Sequence, residues 1–439
     1  MKKLFSFSIF FVSFFFYAQS QSRNELQMNN HFYTNKLIVL SAFIEEINSD
    51  SLKLNLFYRL PINNFLLKQI SDGNFQAIAA ITITLSDSDG VVRFHRLFND
   101  TILSTKSKFL PSEFAFKEGY YNFFIPNHKY QLEARVSDLN SKKSEKVSLN
   151  FIQVDTVRKT ITSILPLSKI NEIRYKPSYL FGNFNYSPNP KLLLINFLTQ
   201  NEYLNITYKI SKVKSEDEYN FDFKEINGKV EKMNIEDIQI TPKYIEINNN
   251  PKITRVQDDF SQKIYYIEFP TNPFVPGNYQ LELFMGNRLI FSTKFKVIWD
   301  EQPITLSNLN VALKISEVFL TAEEIETIRS ANRKNQIKTL FEIWQKLDKT
   351  TNSDNYPEAM VEFYRRADYA YYAFSTFAER NGALTDKGKV YILNGPPDKI
   401  NEVFKMKKLN EIWTYSNLIK EYTFESVESG VLKLVSIKE

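Results

Sequence analysis

The chain has 439 residues, with 55 Lys and Arg against 50 Asp and Glu, three histidines and no cysteine. A formal net charge of +5 over that length is a solvated surface rather than a polyanion-binding one, so no nucleic-acid partner is expected. The absence of cysteine excludes disulfides, thiol catalysis, thiolate metal sites and lipid attachment to a cysteine.

Lys2 and Lys3 precede an aromatic-rich apolar run, Leu4 to Tyr17, which ends at Ala18-Gln19-Ser20. This three-part pattern reads as a secretory signal peptide over residues 1–20, removed on export. The run is too short and wrongly flanked to span a membrane, and no later segment is apolar enough to cross as a helix. The expected product is exported and soluble, periplasmic or extracellular, and not a lipoprotein.

From there the chain turns strand-like. Leu52, Leu54, Leu56, Tyr58 and Leu60 alternate with mostly polar partners, the period of a half-buried strand. Phe75 to Leu85, Val91 to Phe94, Tyr130 to Val136 and Val147 to Phe151 follow, punctuated by turn residues such as Asp87-Ser88-Asp89-Gly90. Short strands without a helical period predict a β-sandwich over 30–157. A second block, 165–300, restarts the pattern, with strands expected at Leu192 to Phe197, Leu204 to Ile210, Tyr244 to Ile247 and Ile264 to Phe269. Its charged segment Ser211 to Asp237 reads as a long loop. Phe124-Ile125-Pro126 with Tyr130-Gln131-Leu132-Glu133 returns as Phe274-Val275-Pro276 with Tyr279-Gln280-Leu281-Glu282. A Tyr just past a Pro turn at a strand start is the tyrosine corner of immunoglobulin-like sandwiches, so the two blocks read as a tandem duplication.

Pro303 opens an expected linker, and the period then becomes helical. Thr321-Ala322-Glu323-Glu324 is a capping box. Ile337, Leu340, Phe341, Trp344 and Leu347 form one apolar stripe. Pro357 opens another helix whose stripe is Met360, Tyr364, Ala367, Tyr371, Phe374 and Ala378, with Gly382 as its terminator. The fold class is therefore mainly β with a C-terminal α+β domain: tandem immunoglobulin-like β-sandwiches followed by a helix-plus-small-sheet module over 305–439. In that module Val390 to Leu393 and Ile412 to Tyr415 read as strands of one sheet, with Trp413 in its core and Tyr422 to Val427 and Val431 to Val435 as a hairpin. The helix Phe363–Phe377 is expected to cover one face of the sheet.

The densest run of backbone-dictating residues lies in this module. It comprises Gly382-Ala383-Leu384-Thr385-Asp386, Gly388 with Val390-Tyr391-Ile392, Gly395-Pro396-Pro397-Asp398, and Glu411-Ile412-Trp413 with Tyr415, preceded on the helix by Arg365 and Arg366. From about Phe363 to Tyr415 these blocks resemble the GWxTD domain family, whose function is not established. The resemblance implies β-sandwich material followed by this module. The tryptophan in the family's name is Ala383 here. Read from the residues, Gly382 ends a helix, Thr385 and Asp386 bond the following turn, and Gly388 loosens the backbone before a strand. The Gly395-Pro396-Pro397 loop lacks the Lys-Ser/Thr ending of a phosphate loop, and its prolines offer no N–H.

No metal or cofactor is expected. His31, His95 and His128 have no metal-ligand spacing, and no Ser sits in a nucleophile elbow. Asp386, Asp398 and Glu411 share one module, and two carboxylates suffice for glycoside hydrolysis. The leading expectation is a non-catalytic interaction or scaffold protein of the Gram-negative envelope, with another envelope or extracellular protein as partner. The alternatives are a carboxylate-based glycan or cell-wall hydrolase and an accessory factor in envelope protein assembly. Asp50-Ser51-Leu52, Asp100-Thr101-Ile102 and Asp155-Thr156-Val157 resemble O-glycosylation sites of exported proteins.

Overall fold

The computed structural model describes residues 36–48, 51–110, 113–126, 130–150, 161–178, 183–197, 205–214, 221–233, 238–241, 244–247, 263–348, 356–405, 408–427 and 431–439. The signal-peptide segment, His31, Asp50, His128 and Asp155-Thr156-Val157 lie outside the described residues.

Strands β1 (Val39–Asn48), β2 (Ser51–Pro61), β3 (Lys68–Ser71), β4 (Asn74–Ser86), β5 (Val92–Ser104), β6 (Phe116–Pro126), β7 (Gln131–Asp138) and β8 (Ser144–Asn150) build the first sandwich. One sheet has the order β1-β2-β6; in the other, β4 pairs with β3, β5 and β7, and β8 follows β7. The alternation seen in the sequence sets the inner faces. Leu54, Leu56 and Leu60 of β2 meet Ile81 and Ile83 of β4 and Leu132 of β7 in one core.

The second sandwich is formed by β9 (Ile161–Lys169), β10 (Arg174–Pro177), β11 (Phe184–Asn185), β12 (Lys191–Phe197), β13 (Ile206–Val213), β14 (Ile226–Lys229), β15 (Glu231–Met233), β16 (Ile238–Ile240), β17 (Ile245–Ile247), β18 (Lys263–Phe269), β19 (Gly277–Met285) and β20 (Arg288–Ile298). Its sheets run β15-β18-β12-β9-β10-β17-β16 and β11-β20-β19-β13-β14. Within them, β9-β12-β18 repeats β1-β2-β6, and β14-β13-β19-β20 repeats β5-β4-β7-β8. The same strand order occurs twice, as the sequence echo predicts. The tyrosines of that echo do the same work in both copies. Tyr130 donates to the Pro126 carbonyl (3.0 Å) and Tyr279 to the Val275 carbonyl (2.7 Å), each four residues upstream. The segment expected as a long loop is only partly irregular. β13 runs to Val213, β14 and β15 lie within it, and Phe223 packs edge-on against Tyr279 at 4.8 Å.

The two sandwiches stack. β2 is not half-buried as its alternation suggests, because its second face is covered too: Phe57, with Val39 of β1, packs against Leu165, Leu167, Leu192 and Leu194 of the second sandwich. Its polar positions survive this burial through partners. Asn55 is fully buried and accepts from Tyr120 Oη at 2.5 Å, and Arg59 is ion-paired.

Among the described residues the α-helices are α1 (Leu309–Ser316), α2 (Ala322–Ser330), α3 (Gln336–Leu347), α4 (Glu358–Ala373) and α5 (Asp386–Asn394), followed by β21 (Lys399–Lys405), β22 (Lys408–Tyr415), β23 (Lys420–Ser426) and β24 (Leu432–Lys438) in an antiparallel sheet of that order. The expected linker after Pro303 is not open chain. Ile304 and Leu306 are buried in a short turn, α1 follows under an Asn308 cap, and Ala312 and Ile315 join a core continuous with that of the second sandwich. The capping box at Thr321 is present in full. α4 stops at Ala373, so Ala378 is not on its stripe, and Gly382 begins a separate 3-10 turn rather than ending α4. Val390 to Leu393 is helix, not strand. Thr385 caps α5 by accepting from Gly388 N, and a four-residue apolar run has no period of its own to oppose that start. The sheet's first strand is β21 instead.

Candidate functional site

The family blocks assemble around α5. Thr385 Oγ1 donates to the Gly382 carbonyl (2.7 Å) and accepts from Gly388 N (3.1 Å), fastening the 3-10 turn to the helix start. The backbones are so close that a side chain at either glycine would force them apart: a Cβ on Gly388 would lie 2.0 Å from Gly382 O, and one on Gly382 would lie 2.2 Å from Ala370 O. The requirement at Gly388 is therefore space inside a helix, not the turn flexibility expected. Ala383, in the place of the family's tryptophan, is fully buried. Asp386 does not bond the following turn; its Oδ2 accepts from Leu434 N (3.0 Å) and ties α5 to β24.

The far end of α5 is held by other family residues. The Arg366 guanidinium reaches the Ile392 and Leu393 carbonyls at 3.5 Å while its Nε donates to Glu362 at 2.7 Å, placing a cation at the negative end of the helix. Gly395 takes φ +79°, and its carbonyl accepts from the buried Tyr415 hydroxyl at 2.9 Å. Burial raises the Tyr415 pKa well above the ordinary phenol value. Pro396 and Pro397 complete the corner, and Asp398 closes it by accepting from Ser416 N at 2.6 Å.

On the sheet, Trp413 is 1% exposed, packed between Phe374 and Phe424 with ring centroids 5.5 and 5.0 Å away. Its indole N–H donates to Glu411 at 2.5 Å, and Lys387 of α5 pairs with the same carboxylate at 2.8 Å while lying over both the Trp413 and Phe374 rings. Asp386, Asp398 and Glu411 are thus each engaged by a different internal partner. His95, on the exposed β5, contacts Thr84 at 3.1 Å.

Arg365 stands apart from this lock. It lines a pocket of about 400 Å³ between the second sandwich and the start of α4, which none of the three carboxylates lines. Tyr186, Trp299 and Tyr356 supply aromatic walls, with centroids 5.1 Å apart for Tyr186–Trp299 and 4.9 Å for Tyr186–Tyr356. Glu301, Glu358 and Glu362 supply carboxylates, and Arg365 lies 3.8 Å from Glu301. Burial pushes the Tyr356 phenol up to about 12, against the pull of Arg365. Sequence reasoning missed this site because its halves are 110 or more residues apart; the sole local sign was the turn-dense Asn185-Tyr186-Ser187-Pro188. Among the described residues no group of His, Asp and Glu has the arrangement of a metal site, and no helix is long and apolar enough to cross a membrane.

No curated protein matches the chain. Two solved structures are similar at 9% identity. A biofilm-associated protein's BSP domain has a TM-score of 0.15, with 64% of this chain and 55% of that one covered. A protein titled pT26-6p has a TM-score of 0.14, with 82% and 84% covered. The chain thus spans little more than half of the first, and neither likeness carries an argument. Residues 301–430 match the family model of the GWxTD domain, a match that takes in the Thr385-capped helix and strands β21 to β23 of its sheet.

Proposed function

We propose that the chain is an exported, non-catalytic interaction protein of the cell envelope, with the GWxTD domain as its contact module and the stacked sandwiches as its scaffold. The observation that carries this reading is the edge of the C-terminal sheet. β21 is a terminal strand that leaves Ile400 51% and Phe404 73% exposed, on the same face as Trp413 but beyond the cover of α5. An edge strand offers unpaired N–H and C=O groups, and an apolar one is a template for an added strand. The partner that fits is an extended segment of another envelope or extracellular protein with apolar residues at alternate positions. The family carboxylates are engaged in internal hydrogen bonds, which supports binding over glycan hydrolysis. Export rests on the N-terminal charged and apolar runs, and N-terminal sequencing of the protein from its host tests it: a start just after Ser20 is expected, and retained Met1 in a cytosolic pool overturns it.

A photo-crosslinker at position 404 in the host should capture a protein partner, and Phe404→Asp should abolish its co-purification without changing the melting midpoint. Failure to capture any protein from this position, or co-purification undiminished by Phe404→Asp, overturns the proposal.

A further inference from the structure

β6 is a terminal strand of the first sandwich, and the second sandwich shows what its outer edge can hold. In the order β15-β18-β12-β9, β18 takes the place that β6 takes in β6-β2-β1, and β15 pairs antiparallel with its far edge. Among the described residues no strand pairs with that edge of β6. The two copies diverge at one point. In the second, Val230 alone separates β14 from β15, and there the chain leaves β13 for β18. In the first, β5 stays on β4 for its whole length. Phe98 of β5 packs on Tyr121 at 3.7 Å and Phe94 on Phe123 at 4.7 Å, so β5 covers these rings from the opposite sheet without taking the backbone edge. An edge left so offers unpaired N–H and C=O groups to another strand.

The sequence of β6 identifies the strand that fits. Tyr120-Tyr121-Asn122-Phe123-Phe124 is symmetrical in character about Asn122, with two aromatic residues on each side. Tyr121 and Phe123 face the core of the first sandwich, and by alternation Tyr120 and Phe124 face the other way. A second β6, turned about a two-fold axis at Asn122, sets Tyr120 opposite Phe124 on one face and Tyr121 opposite Phe123 on the other. Each aromatic pair then forms twice. Such a pairing is necessarily antiparallel, the direction that β15 takes on β18. No charged residue lies between Glu118 and Pro126, so no like charges meet within the paired stretch. Phe124, 66% exposed, gains a neighbour there.

We infer that β6 is a dimerisation edge: two copies of this chain pair β6 with β6 about Asn122, joining their β1-β2-β6 sheets into one. The area sets the strength. A standard interface buries about 1,200–2,000 Å² in total. One strand edge whose Tyr120, Tyr121 and Phe123 are already partly covered supplies less, so the dimer is weak and held largely by backbone hydrogen bonds. The inference does not rest on the β21 edge, and Phe404→Asp should leave this dimer intact.

Sedimentation of the chain from Gln21 onward should show a reversible dimer with a Kd of about 1–100 µM. Asn122 is exposed, so changing it leaves the core alone. Asn122→Asp and Asn122→Lys each set like charges opposite one another and should weaken the dimer about tenfold or more. An equimolar mixture of the two variants should restore it as a heterodimer, which damage to the fold could not mimic. The chain has no cysteine, so Asn122→Cys adds a single thiol. Opposed residues of an antiparallel pair have Cα atoms about 4.5–5.5 Å apart, within disulfide reach, and mild oxidation should link the two copies. A chain that stays monomeric at about 200 µM, above that range of Kd, overturns the proposal. So does a dimer that keeps its affinity in both charged variants, or a mixture that associates no better than either variant alone.

Discussion

Arg59, on β2 of the first sandwich, places its guanidinium 3.5 Å from the carboxylate of Asp300, 241 residues later at the end of the second. Both side chains are buried. Glu118 lies 3.1 Å from the same guanidinium, the Phe116 ring sits 4.5 Å beneath it, and Glu301 approaches to 3.7 Å on its way to Arg365 of α4. One charge network thus runs from the first sandwich through the second to the GWxTD domain. It explains how β2 carries an arginine on a face buried between two sandwiches.

Removing one partner of a buried pair leaves the other charged and unpaired, which typically costs about 3–5 kcal/mol. Arg59→Ala should lower the denaturant midpoint by that order, and adding Asp300→Ala should restore part of the loss. A single-variant cost under about 0.5 kcal/mol, the level of an ordinary surface change, would show that the sandwiches do not depend on this contact.

The helix start at Thr385 makes a graded prediction. In an ordinary helix Gly→Ala gains about 1 kcal/mol, but at Gly388 the new Cβ would lie 2.0 Å from a backbone oxygen, so Gly388→Ala should instead cost about 1–3 kcal/mol. Thr385→Ala should cost about 1 kcal/mol as a lost cap. Asp386→Asn keeps an acceptor for Leu434 N and should cost less than either. Melts of the full chain with each variant check the order, and a largest effect at Asp386→Asn would point to its charge rather than its hydrogen bond.

The contrast between Trp413 and Val390 shows what the sequence could reveal. Trp413 lies in Ile412-Trp413-Thr414-Tyr415, a run of β-branched and aromatic residues, so its strand follows from residue type. Val390 to Leu393 has no period, and its state is decided by Thr385 five residues earlier, whose capping role competes with a turn reading of the same residues. The twofold repeat was legible because each tyrosine corner is local, four residues from hydroxyl to carbonyl. The double burial of β2 was not, since it depends on a second sandwich that the alternation cannot see. Arg365 and Arg366 are neighbours in sequence with unrelated tasks, one at a pocket and one at a helix end. What separates them is the turn of α4 between adjacent residues. The pocket itself joins residues 185–188 to 299–365, a proximity set by packing alone.

Asp368 provides the last prediction. It lies 1% exposed on α4, accepting from Ile304 N (2.6 Å), Thr305 N (2.7 Å) and Thr305 Oγ1 (2.6 Å), and so pins the chain leaving the second sandwich to the helix. Burial raises its pKa from 3.8 to about 7, opposed by those three hydrogen bonds and by Arg365. Tyr372 feels the carboxylate in turn, its phenol pushed up to about 12 chiefly by burial. A folded-state pKa above the unfolded one means that the native state holds more protons across the interval. The stabilisation is therefore complete below about pH 4 and is lost as pH rises toward about 7, with a slope of at most about 1.4 kcal/mol per pH unit. Asp368→Asn should be less stable than wild type at pH 4, because its amide N–H groups face backbone donors. The gap should narrow as pH rises toward 7. Urea melts of both proteins between pH 4 and 7.5 measure it. A constant gap over that range would mean that the three donors outweigh burial and keep the carboxylate ionised throughout.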